Sequence, residues 1–200
     1  MNKKISILII LVAIIGIYGL FYVAVTNVLM PMELDSFKND LNGMPQLPVN
    51  NNSTISDLEN SADIIENNPS LKYMSQSQRS EMANQMRHLN SPPIGFLNQN
   101  FTDYNNFYAG SVLAYKLIGK GTLANEISNL SSITNNLTSL TNESTAINQK
   151  TANDFENGDD KAYAEDLRSS VNNLKQYNKV MEELKTQLQK IINQLADKKT

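Results

Sequence analysis

From Ile5 to Met32 no residue carries a charge, and 22 of those 28 residues are apolar, against 58 of the remaining 168. A helix that is apolar on every side must be covered by lipid or by a large protein body, and a remainder this polar is poorly suited to cover it. The run Ile5 to Met30 is 26 residues long. As a helix it spans roughly 39 Å, against roughly 30 Å of bilayer hydrocarbon. Two other readings compete with an uncleaved anchor. A secretory signal has an apolar stretch of roughly 7 to 15 residues before a small-x-small site, and the one candidate, Ala24-Val25-Thr26, is β-branched. A buried core helix would need more apolar body than this chain has. The expectation is therefore a transmembrane signal-anchor over residues 1–32.

The flanks set the expected orientation. Lys3 and Lys4 precede the run, whereas Glu33, Asp35, Lys38 and Asp40 follow it. The positive-inside rule puts the amino terminus in the cytoplasm and the body outside the cell membrane, with Tyr18 and Tyr22 near the outer interface. Pro31 is expected to end or kink the helix. After Met32 the chain has 15 Lys and Arg against 20 Asp and Glu. An acidic body argues against nucleic-acid partners, which select a basic stripe. Cysteine is absent and His88 is the sole histidine, so thiolate chemistry, disulfides and His-rich metal sites are excluded.

Residues 33–54 read as a linker or stalk, with Gly43, Pro45, Pro48 and the triplet Asn50-Asn51-Asn52 as breakers. Residues 55–200 read as one helical bundle. Ile55, Leu58, Ala62 and Ile65 share a face of a helix over about 55–67, with Ser56 and Glu59 spaced as a capping box. A second helix over about 75–90 starts at Ser75-x-x-Gln78 and stops before Pro92-Pro93. A third, over about 101–118, aligns Phe101, Tyr104, Tyr108, Val112, Tyr115 and Ile118 at steps of three and four. The first reading of this aromatic face is bundle core; the second is a ligand or partner groove formed by Phe101, Tyr104, Tyr108 and Tyr115.

Gly119-Lys120-Gly121 stops that helix. It lacks the preceding Gly and the following Ser or Thr of a phosphate-binding loop. Beyond it, Leu123, Leu130 and Leu137 repeat by seven beside Ile133, Leu140 and Ile147. Leu167, Leu174, Met181, Leu188 and Leu195 repeat by seven beside Tyr177, Leu184 and Ile191. Helices over about 122–154 and 161–197, joined at Asn157-Gly158-Asp159, are expected to fold back as a long antiparallel coiled-coil-like hairpin. The turn does not fit a calcium loop: with Gly158 sixth, Phe155 is third and Ala164 twelfth. The Ser/Thr/Asn-rich first helix should lean on the second.

The fold class expected is all-α. Asparagine supplies 28 of 200 residues, and Asn51, Asn52, Asn100, Asn129, Asn136 and Asn142 begin glycosylation sequons. No nucleophile with a base, metal set or cleft-bound carboxylate pair stands out, so no catalytic residue, cofactor or metal ligand is expected. The functional expectation is a structural or protein-interaction role, with the bilayer and a protein partner, or a second copy through the hairpin, as partners. The alternatives are a ligand-binding or sensory ectodomain and a cell-envelope assembly or secretion accessory.

Overall fold

The computed structural model describes residues 3–44, 51–88 and 109–197, which are helical or in turns, with no strand among them. α1 is Lys3–Ala24, followed by a π turn Val25–Leu29 and α2, Met30–Gly43. α3 is Asn51–Asn67 and α4 is Gln76–His88, with a 3₁₀ turn Leu71–Tyr73 between them. α5 covers residues 109–117. α6, Gly121–Asn157, and α7, Asp160–Ala196, are 37 residues each.

The chain divides into two compact units. Unit 1 comprises Met1–Gly43, Thr102–Ser131 and Lys185–Thr200; unit 2 comprises Met44–Phe101 and Ser132–Leu184. Both long helices contribute to each unit.

In unit 1 the apolar helix is exposed on every side from Ile10 to Leu20, with Leu20 75% accessible. Burial begins at Val25 and continues at Met30, Glu33 and Phe37. Of the two outcomes expected at Pro31, an end or a kink, the helix does not end there. The proline's missing N–H and ring crowding at the carbonyl four residues back are absorbed by the π turn just before it, where the Met30 N–H bonds the Val25 carbonyl. The stalk reading also fails over 33–43, and the part from Asn51 to Thr54 belongs to α3. Glu33 and Phe37, four apart, form a buried face that reads as polar only while the carboxylate is counted as solvated. Residues 45–50 lie outside the described residues.

Unit 2 has a core of Ala62, Leu71, Ala83, Ala152, Phe155, Tyr163, Ala164 and Leu167, flanked by Leu58, Ile65, Met74 and Met86. Phe155 and Tyr163 meet edge to face with centroids 5.1 Å apart. α3 starts four residues before the expected point, so Ser56 lies inside it; Glu59 instead pairs with Lys175 at 2.7 Å. The capping box at α4 forms as read: the Gln78 N–H donates to Ser75 Oγ at 3.3 Å, and the Ser75 N–H to Gln78 Oε1 at 3.0 Å.

The buried positions of α6 include Leu123, Ile127, Leu130, Thr134, Leu137, Thr151 and Phe155. From Leu123 to Leu137 these follow a four-three alternation in which Ile127 and Thr134, rather than Ile133, accompany the leucines, and Leu140 is buried as its spacing implied. Ile133 and Ile147 are half-buried flanks. Thr138, Thr141, Thr145 and Thr151 each donate a hydroxyl to the carbonyl four residues back, at 2.8 to 3.1 Å. Back-bonding of this kind satisfies the hydroxyl within the helix and weakens the helix slightly.

Candidate functional site

Three polar arrangements stand out, one in unit 1, one in unit 2 and one along α7. In unit 1, α5 buries Ser111, Tyr115 and Ile118 on one side and exposes Leu113, Lys116 and Leu117 on the other. Tyr115, expected in the aromatic face, is fully buried, so it does not line an open groove. Its hydroxyl donates to Glu33 Oε2, and the Ser111 side chain also bonds that carboxyl. Glu33 is 1% exposed and its Oε1 has no hydrogen-bond partner. Burial first, and the neighbouring carboxylate second, push the Tyr115 phenol well above its ordinary value, which keeps it the donor. The pair ties α5 to α2 and is closed to solvent, so it presents no atom to a dissolved substrate. Phe101, Tyr104 and Tyr108 lie outside the described residues.

α5 ends in a glycine-closed turn. The Lys120 N–H bonds the Tyr115 carbonyl at 2.8 Å, the Gly119 N–H bonds the Lys116 carbonyl at 3.2 Å, and Gly119 has φ +83. This is a Schellman ending, in which a residue without Cβ takes the left-handed conformation. The Leu117 carbonyl, left over by that pattern, accepts a bond from the Tyr18 hydroxyl at 3.1 Å. An open cleft of about 320 Å³ beside the turn is lined by Gly119, Lys120, Gly121, Thr122, Leu123 and Gln194.

In unit 2 the turn between α6 and α7 has the same ending. The Asp159 N–H bonds the Asp154 carbonyl at 3.0 Å, the Gly158 N–H bonds the Phe155 carbonyl at 3.1 Å, and Gly158 has φ +75. Asp159 then caps α7 through the Ala162 N–H at 3.0 Å. Asp160 Oδ1 accepts the Ser70 and Leu71 N–H groups, each at 2.9 Å. Arg79 donates to the carbonyls of Glu156 at 3.0 Å, Leu71 at 3.1 Å and Met74 at 2.7 Å. Arg87 and Ser80 both bond the Glu156 carboxylate, and the Arg87 bond in particular holds it below its ordinary value. Both aspartates of the turn thus serve backbone N–H groups, and Glu182 and Glu183 lie exposed on α7.

Along α7, Asp166, Asn173, Val180 and Gln187 are buried and spaced by seven. Within unit 2, Asp166 is paired with Lys150, whose ammonium is pushed above its ordinary value by that bond and by Asp154. Asn173 Nδ2 donates to the Leu140 carbonyl at 3.0 Å. Within unit 1, Gln187 Nε2 donates to the backbone and side chain of Glu126, both at 2.6 Å. Sequence reasoning missed this row because heptads were sought among apolar residues only.

Among the sequons, Asn129, Asn136 and Asn142 are exposed on α6 and Asn51 and Asn52 lie in the first turn of α3. Asn100 lies outside the described residues. His88 is exposed at the end of α4. No group of three or more His, Cys, Asp or Glu that could hold a metal occurs among the described residues. The chain matches no protein family, no curated protein and no solved structure.

Proposed function

We propose that this chain is a single-pass, membrane-anchored helical protein with a structural or protein-interaction role, its amino terminus cytoplasmic and its body extracytoplasmic. The observation that carries the reading is the accessibility of the apolar helix: Ile15 is 68% and Leu20 75% exposed. Left in water, that surface costs roughly 25 cal/mol per Å², and a bilayer removes the cost. One helix of the described residues is long and apolar enough to cross a membrane. The Lys3 and Lys4 flank supports the orientation.

In this reading α6 and α7 pair as an antiparallel coiled-coil-like hairpin. The partner faces are supported by the alternating buried positions and by the Lys150–Asp166 and Asn173–Leu140 contacts of unit 2. The hairpin is the surface offered to a protein partner or to a second copy. The polar clusters serve to hold helices together, and no catalytic role is assigned to them.

Protease added to intact cells tests the topology. Digestion of the body without lysis is the expected result; digestion only after lysis overturns the orientation. Crosslinking in the membrane, followed by identification of the linked species, tests the interaction role. A protein that stays monomeric and unlinked at native abundance would remove it.

A further inference from the structure

The bond between Tyr18 and Leu117 fixes a depth. It places the end of α5 within one tyrosine side chain of a residue in the middle of the apolar run. Tyr18 precedes Met30 by 12 residues, roughly 18 Å along a helix axis. If all of Ile5 to Met30 lay in hydrocarbon, the α5 turn would lie there too. That turn carries Lys116 and Lys120 and non-helical backbone at Gly119, and exposed irregular backbone is not stable in hydrocarbon.

The outer boundary therefore falls lower on the helix. Burial agrees with a lower boundary, because the helix is exposed from Ile10 to Ala24 apart from a half-buried Phe21, and side chains become buried from Val25 onward. Ile5 to Phe21 is 17 residues, about 26 Å as a helix and within the range of spanning segments. Tyr18 and Tyr22 then lie at the interface, where tyrosine is favoured.

At that level α5 presents an outward face with an amphipathic composition. Leu113 and Leu117, four apart, are 60% and 55% exposed, and Lys116 between them is exposed. Apolar groups entering the acyl boundary beside lysines reaching phosphates are the chemistry of an interfacial helix. Continuity with the span selects a phospholipid surface as the occupant.

We infer that α5 and its closing turn are a second membrane contact, with Leu113 and Leu117 inserted at the headgroup boundary beside Tyr18 and Tyr22, so that unit 1 rests on the bilayer. This rests on the anchor reading. It replaces the expected stalk by direct contact.

The absence of native cysteine allows a direct test on the full chain in phospholipid nanodiscs. Single variants Val12→Cys, Leu113→Cys and Leu117→Cys, each carrying an environment-sensitive fluorophore, are compared in lipids brominated near the headgroup or near the chain centre. The expected result is loss of emission at 113 and 117 with headgroup-proximal bromine and at 12 with central bromine. Quenching at 12 without quenching at 113 and 117 overturns the second contact and leaves the anchor intact. No quenching at 12 overturns both.

Discussion

The two turns that bound α6 use one backbone solution with different support. At each, a glycine with positive φ closes a Schellman ending, and the same left-over carbonyl is satisfied by a side chain from far along the chain. In unit 1 the carbonyl is that of Leu117 and the donor is the neutral hydroxyl of Tyr18. In unit 2 the carbonyl is that of Glu156 and the donor is Arg79, which also holds two further carbonyls. Space around Gly119 is open, whereas a Cβ on Gly158 would lie 3.2 Å from Arg79 Cζ. The difference teaches that the local motif sets only the chain reversal. What it fastens, and how firmly, depends on the distant donor.

Removing the stronger donor should have the largest effect. Arg79→Ala leaves three carbonyls of the 71–74 turn and the α6 end without this cation and should lower stability by about 3 kcal/mol, read by denaturant unfolding of the full chain in detergent micelles. A loss no larger than that of an ordinary surface substitution would mean that the guanidinium is dispensable.

The glycines sharpen the contrast. Gly119→Ala should cost about 1–2 kcal/mol, the strain of a left-handed alanine, and Gly158→Ala should cost more because Arg79 must also shift. Equal losses in the same unfolding assay would show that Arg79 yields freely. Tyr18→Phe should cost about 0.5–1.5 kcal/mol, the net worth of one hydrogen bond. Hydrogen exchange at the α5 end should rise with it; unchanged protection there would break the proposed fastening.

The smallest effect is the pH dependence of Glu156. Its folded value is lowered by Arg87 first and Ser80 second, from an ordinary 4.5. A lowered acid contributes stability that is present above its unfolded value and lost as pH falls through the folded one. The unfolding midpoint of the native chain should therefore converge on that of Glu156→Gln as pH drops below 4.5. A constant gap across that range would remove the ion pair as its cause.

The all-α class was legible because apolar spacing is helical almost throughout, and the stop at Gly119 and capping box at Ser75 have local chemical causes. α2 was not legible, because Glu33 looks like a solvated flank until its partner is known, and Tyr115 lies 82 residues away. Thr134 was passed over in the α6 seam because a hydroxyl counts as polar even where it is 6% exposed. Tyr115 was found on the right face, but whether that face is open or closed depends on what packs against it.

The row of Asp166, Asn173 and Val180 in unit 2 has a consequence for alignment errors. A repeat of seven is periodic, so a helix carrying it can slip by about 10 Å and meet an equivalent stripe. Here the slipped state is not equivalent: shifted one heptad, Val180 would face the Leu140 carbonyl in place of Asn173, and the hydrogen bond from the Asn173 amide would be lost. In the proposed hairpin Asn173 thus marks one register among those the apolar repeat alone would allow.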